Sequence, residues 1–312
     1  MKLYLAPFEG ISGYVYRNAY HHYFGGLDKY FIPFIMPNQF GHFSYKEKND
    51  ILPEHNQGMH AVPQVLTNSA EDFLRTAQSL KEYGYDEINL NLGCPSKNVV
   101  TKDRGAGFLA DPYRLDRFLE EVFRHIDMKV SLKTRIGMDD TQEFEDILEV
   151  YNKYSLEELI IHPRLQIDYY KNTPHLDVFE YAVEHSENPL CYNGDIYTVD
   201  DYECLKKRFP AVDRVMLGRG ILINPGLALT LRDGKKTDLE ALRKFHDEIF
   251  EKYQEVLFGE KTILFKMKEL WSFMGLNFTD SKKYIKKIRK AERLQTYQEA
   301  VEKLFAEQTL VD

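Results

Sequence analysis

The sequence predicts a (β/α)8 barrel followed by a small helical bundle, on three observations. Short apolar runs recur eight times, at residues 2–6, 30–35, 62–66, 87–92, 130–134, 158–162, 189–193 and 214–217. Their starts are separated by 28, 32, 25, 43, 28, 31 and 25 residues, with helix-patterned segments between them. Such intervals suit right-handed βα crossovers in a parallel sheet, and eight units in about 230 residues approach the ~250 of a typical barrel. Beyond residue 234 the pattern changes to a 3.6-residue apolar period, and from Thr237 onward there is no proline.

The elements can be justified in order. After the third strand, Ser69 is placed to cap a helix, with Asp72 as an acid in its first turn. Phe73, Ala77 and Leu80 then follow at helical spacing. Asp111 and Pro112 open the next helix with a cap and a first-position proline. Residues 175–185 and 198–207 read similarly. The second unit is the weak one: residues 37–61 hold Pro, Gly, Asn and His and no long periodic segment, which leaves an open doubly wound sheet as the runner-up fold. In the tail, residues 238–256, 261–274, 280–290 and 294–305 read as four helices. The stretch 233–237 (DGKKT) reads as a linker, which divides the chain into a barrel domain, 1–234, and a helical domain, 235–312.

Composition narrows the function classes. With 43% hydrophobic and 29% charged residues the chain can bury a large core. Cys94, Cys191 and Cys204 show neither a paired motif nor metal-ligand spacing, so free thiols in a reducing compartment and no metal are expected. The N-terminal segment lacks the features of a signal peptide, and no apolar run approaches the ~18 residues of a membrane span. A cytoplasmic protein, and a monomer, is expected. The net charge of −8 argues against a polyanionic partner, but the distribution matters more than the sum. Residues 282–293 carry seven Lys and Arg against the single acid Glu292. On one helix Lys282, Lys286, Arg289, Lys290 and Arg293 would share a face, where like charges repel unless phosphates meet them. A solvated lysine-rich surface is the plainer explanation of the same residues.

Function in such a barrel sits at the C-terminal strand ends. Those ends carry Pro7, Phe8 and Glu9, Gln64, Asn91 with Cys94, Lys133 and Arg135, His162, Asn193-Gly194-Asp195, and Gly218-Arg219-Gly220. The last two groups, one βα unit apart, suit a phosphate held by backbone N–H groups and the Arg219 charge. Each alone is an ordinary turn. Lys133 pointing into a barrel mouth needs an anion, either a structural carboxylate or a ligand such as a reduced flavin. Gln64 could meet a flavin's polar edge or simply satisfy backbone. A lone His162 is more often a core residue than a ligand. Cys94, between Gly93 and Pro95 on the rim, has the setting of a proton donor or nucleophile rather than of a core thiol.

Taken together, these residues resemble the tRNA-dihydrouridine synthases along residues 3–230, and more loosely through the tail. The resemblance rests on the segments APFEG (6–10), Gln64, NLGCPSK (91–97), RGAG (104–107), KTRIG (133–137), HPR (162–164), YK (170–171), NGDI (193–196) and GRG (218–220). It implies FMN held by Pro7, Phe8, Glu9, Gln64, Lys133, His162, Asn193, Gly194, Asp195, Gly218 and Arg219, with NADPH or NADH as a transient reductant. It also implies Cys94 as the acid, Asn91 against the target uracil, and tRNA contacts from Lys97, Arg135, Tyr170 and Lys171. Phe8, Pro163 and Gly226 depart from the family pattern, where methionine, a small residue and an aromatic are usual; none removes a chemical group.

The implied chemistry is hydride delivery to C6 of uracil with a thiol protonating C5, on a base swung out of the folded RNA. The nearest rival is an FMN barrel acting on a free pyrimidine, resembling dihydroorotate or dihydropyrimidine dehydrogenases, which needs no basic helical tail. A redox-dead RNA-binding barrel would have no use for the intact set of Cys94, Lys133, Asn193 and Arg219. A phosphosugar isomerase barrel would use the phosphate loops but would not need a Cys-containing lid.

Overall fold

The computed structural model describes residues 1–38 and 41–311. Eight strands alternate with helices: β1 Lys2–Leu5, β2 Lys29–Ile35, β3 Ala61–Val65, β4 Glu87–Leu92, β5 Lys129–Thr134, β6 Glu158–Ile161, β7 Leu190–Tyr192 and β8 Arg214–Leu217. Each pairs in parallel with its neighbour, and β1 pairs with β8 from Lys2↔Arg214 to Leu5↔Leu217. That last pairing closes the barrel and excludes the open doubly wound sheet.

The helices of the barrel region are α1 Tyr14–Tyr23, α2 Tyr45–Ile51, α3 Ala70–Glu82, α4 Lys97–Val100, α5 Pro112–His125, α6 Glu143–Asn152, α7 Leu176–His185, α8 Val199–Arg208, α9 Arg219–Ile223 and α10 Leu227–Asp233. Their starts follow local chemistry. Ser69 accepts from the N–H of Asp72 at 3.2 Å, and Asp111 from that of Arg114 at 3.0 Å. The irregular second unit holds a short helix after all, because Ser44 and Glu47 form a reciprocal capping box at the start of α2. Part of that stretch, residues 39 and 40, lies outside the described residues.

Strand alternation sorts the side chains into two cores. Tyr4, Ala6, Phe31, Val62, Ile160, Cys191 and Met216 fill the barrel interior. Leu3, Leu5, Ile32, Leu90, Leu132 and Leu159 face outward into the layer beneath the helices. Buried polar groups share the interior: Lys29, Gln64, Glu87, Asn89, Ser131 and Glu158.

The tail comprises α11 Leu239–Val256, α12 Glu260–Met274, α13 Lys282–Lys290 and α14 Leu294–Glu307. It packs on the barrel through Phe245, which meets Tyr16 edge-on at 5.5 Å and Phe24 at 5.4 Å. From α12, Lys266 Nζ donates to the Gly10 carbonyl at 2.6 Å and Phe273 meets Phe8 at 5.3 Å. The helical tail therefore sits against the loop after β1, beside the barrel mouth. Among the described residues, no helix is long and apolar enough to cross a membrane.

Candidate active site at the barrel mouth

A period of two puts Asn91, Lys133, His162, Asn193 and Gly218 on the inward side of their strands, all at the C-terminal end. At the last four of them opens a cavity, lined among others by Pro7, Phe8, Lys133, His162, Asn193, Gly194, Asp195, Gly218 and Arg219; Asn91 and Cys94 lie outside this lining. Of the residues expected to hold a cofactor, Glu9 and Gln64 lie outside this lining. Glu9 is exposed and paired with Lys46. Gln64 is fully buried beneath the cavity, with its amide engaged by Asn89 and Asn91.

The mouth is cationic on an acidic protein. Burial pushes the Lys133 ammonium down to about 8, the neighbouring Arg135 charge adding to the effect. No side-chain carboxylate among the described residues pairs with it. Arg164 is buried and grips Asp195 through both terminal nitrogens; the Nη1 contact is 3.0 Å. The same Nη1 donates to His162 Nε2 at 3.0 Å. Burial, reinforced by the surrounding cations, holds His162 well below its ordinary range, so the ring is neutral. A guanidinium can only donate, so Nε2 accepts and the ring hydrogen resides on Nδ1. Asp195 also receives Arg219, and burial, which alone would raise its carboxyl, is outweighed by these two cations. Arg219 lies over the rings of Tyr170 and Tyr197, 5.0 and 5.5 Å from their centroids. One hydrogen bond to Asp195 leaves Arg219 further N–H donors for a ligand. Gly220 permits the close loop contact behind it, since a Cβ there would lie 2.1 Å from the Ile196 carbonyl oxygen.

Cys94 lies half-buried on the loop after β4. Asn91 Oδ1 accepts from the N–H groups of Cys94 at 2.9 Å and Gly93 at 3.1 Å, and so holds the loop's start. The Cys94 carbonyl accepts from Ala106 N–H at 3.0 Å, which brings the RGAG segment against it. Gly105 has φ +56°, and a Cβ there would lie 2.8 Å from that carbonyl oxygen. Burial raises the thiol, more than the backbone hydrogen bond from Ser96 and the charges of Arg135 and Lys133 lower it. Cys94 is therefore a protonated thiol at neutral pH.

The residues expected to touch RNA separate into two groups. Lys97, Tyr170 and Lys171 are exposed, and Tyr170 also lines the cavity. Arg135 is a correction: it is fully buried, and its guanidinium donates to the carbonyls of Gly93, Leu165 and Tyr169 at 3.0, 2.7 and 2.6 Å. It braces the loops after β4 and β6. On α13, Tyr284 and Ile288 face inward and Lys282, Lys286, Arg289 and Lys290 are exposed. Arg293 lies beyond the helix, which ends at Lys290, and sits 3.7 Å from Glu260, so the five do not share one face. Lys286 and Lys290 instead line a groove with Lys283, Lys287 and Lys303. Sequence reasoning missed Lys303, because its neighbours come from another helix. It also assigned no role to Arg164 or Tyr197. The HPR segment was the available signal for Arg164, but its partner Asp195 lies 31 residues away. Among the described residues, no cluster of His, Cys, Asp or Glu could hold a metal ion.

Comparisons with known proteins bear on this site. A family model described as "Dihydrouridine synthase (Dus)" matches residues 4–309. The chain is 28% identical to "tRNA-dihydrouridine synthase B" of Pasteurella multocida, over 72% of this chain and 67% of that protein. It is 30% identical to "tRNA-dihydrouridine(16) synthase" of Pseudomonas putida, over 75% of each. Among solved structures, morphinone reductase in complex with tetrahydroNAD is similar with a TM-score of 0.53 at 12% identity, over 77% of this chain and 89% of that one. At that identity the likeness is one of fold.

Proposed function

The chain belongs to the dihydrouridine synthase family and reduces uridine to dihydrouridine in tRNA, and we propose that it does so with bound FMN and the thiol of Cys94. One observation carries the cofactor reading: the Lys133 ammonium enters a cationic mouth and has no carboxylate partner among the described residues. An ammonium desolvated in this way favours an anionic ligand. The N–H groups at Gly194 and Gly218, with Arg219, would hold the phosphate; Lys133 and the Nδ1–H of His162 would meet the polar edge of the ring. Held by these residues, FMN reduced by NADPH or NADH would supply hydride chemistry at C6 of the uracil. Cys94 would hold the proton that C5 requires, because its half-buried thiol stays protonated at neutral pH. Positioned acids of this kind contribute ~10²–10⁴-fold. Asn91, with one Nδ2 hydrogen left over, would donate to the base. The lysines of the α13–α14 groove meet the RNA backbone, and exposed Lys97 and Lys171 flank the mouth.

The test is a spectrum combined with a substrate assay. The purified protein should be yellow with non-covalent FMN and should act on tRNA rather than on free uracil or dihydroorotate. A preparation that stays colourless after soaking in FMN would overturn the cofactor reading. Turnover of a free pyrimidine alone would favour the rival substrate.

A further inference from the structure

Beneath the cavity, a line of side-chain hydrogen bonds crosses the barrel interior, and its members below Asn91 and Gln64 have no role in the chemistry described above. It starts at Lys29, whose ammonium lies 2.6 Å from both Glu87 and Glu158. Glu87 Oε1 accepts from Ser131 Oγ at 2.8 Å, and Ser131 Oγ accepts from Asn89 Nδ2 at 2.9 Å. Asn89 Oδ1 accepts from Gln64 Nε2 at 2.8 Å, and Gln64 Oε1 from Asn91 Nδ2 at 2.7 Å. The line ends where Asn91 Oδ1 receives the N–H groups of Gly93 and Cys94. Gln64, Asn89 and Ser131 are all fully buried.

Elementary chemistry gives this line one direction. A carboxylate paired with an ammonium only accepts, so the single Ser131 proton goes to Glu87. The Ser131 oxygen must then accept, which turns the NH₂ of Asn89 toward it and the carbonyl of Asn89 toward Gln64. The same logic turns Gln64 and then Asn91, so that a carbonyl faces the Cys94 loop. Without the anchor, three amides could flip together and keep their mutual bonds. That flip would aim the Asn91 NH₂ at two backbone N–H groups, donor against donor, so the line is pinned at both ends and the loss of the Ser131 hydroxyl leaves only the pin at the loop itself.

We infer that Ser131 and Asn89 are positioning residues, which pass a direction set by the Lys29–Glu87 pair to Asn91 and thereby hold the Cys94 loop. Neither lines the cavity. Buried networks of this kind are costly when half satisfied, so one missing hydroxyl is felt along the whole line. The catalytic part of the inference rests on the function proposed above, whereas the part concerning the Cys94 loop does not.

The experiment uses the full-length, flavin-loaded protein with Ser131→Ala and Ser131→Thr. The first readout is the rate of Cys94 alkylation by iodoacetamide, followed by peptide mass spectrometry, with exposed Cys204 as the internal reference. Ser131→Ala should raise that rate by roughly three- to tenfold, the worth of one neutral hydrogen bond, and leave Cys204 unchanged. The second readout is turnover on tRNA: kcat should fall by a similar factor with KM unchanged. Ser131→Thr, which keeps the hydroxyl, should restore both. Should the Ala variant fail to fold, Ser131→Cys keeps nearly the same volume with poor hydrogen bonding, and should show the same rise at Cys94. An unchanged Cys94 rate, or equal behaviour of the Ala and Thr variants, overturns the inference. Wild-type protein that makes no dihydrouridine would count against the proposed function, and the alkylation rates would still decide the relay.

Discussion

At Cys94 a reactive group is held through its own backbone, its N–H donating to the Asn91 side chain and its carbonyl accepting from Ala106 N–H beside the Gly105 turn. Cys94→Ala should keep flavin and RNA binding and lose ~10²–10⁴-fold in turnover, measured as dihydrouridine formed per bound tRNA. Turnover of bound RNA at the wild-type rate would make Cys94 structural. Gly105→Ala should cost about 1–3 kcal/mol of stability, since it places a side chain at positive φ against the Cys94 carbonyl. Denaturant unfolding checks this. Lys133 gives a pH signature. Its folded value of about 8 lies below the ordinary 10.5, so the folded chain binds fewer protons than the unfolded chain between those values. In that window stability without flavin should rise with pH. Anion binding needs the charged form, so flavin affinity should fall as pH rises above about 8. Flavin titrations of Lys133→Met should show no such fall.

Among the elements, α13 shows how a helix end decides what a charged sequence does. The spacing of Lys282, Lys286, Arg289 and Lys290 was legible, and these residues are exposed. The position of Arg293 was not, because the chain turns extended at Ala291 with no glycine or proline to mark the stop. The groove itself needs α14, whose Lys303 completes it. If RNA backbone runs along this groove, Lys286→Ala with Lys290→Ala should weaken tRNA binding regardless of sequence. The slope of log affinity against log salt should shrink by ~0.7–0.9 per lost contact. Flavin content and reduction by NADPH should not change. An unaltered salt slope would make the lysines solvated surface and place the RNA elsewhere.

For the whole molecule, the barrel was legible because parallel strands buried on both faces leave apolar runs at βα intervals. Closure was inferred from the count of eight units rather than from any local signal, and the β1–β8 pairing bears it out. The inward parity of Lys133, His162 and Asn193 was readable along single strands. The Arg164–Asp195–Arg219 cluster was not, because its members pair across 31 and 24 residues. That cluster argues for a phosphate grip shared between two loops, and Arg219→Ala should weaken FMN binding by about 1.5–3 kcal/mol, the worth of a charge-assisted hydrogen bond, in fluorescence titrations. The central claim is that this barrel and its basic tail reduce uridine within tRNA. It is tested most directly by incubating the flavin-loaded protein with unmodified tRNA and NADPH and mapping dihydrouridine by mass spectrometry. The account predicts a gain of two mass units at discrete uridines, formed ~10²–10⁴-fold more slowly with Cys94→Ala. Unchanged tRNA, with NADPH consumed only when a free pyrimidine is supplied, would contradict it.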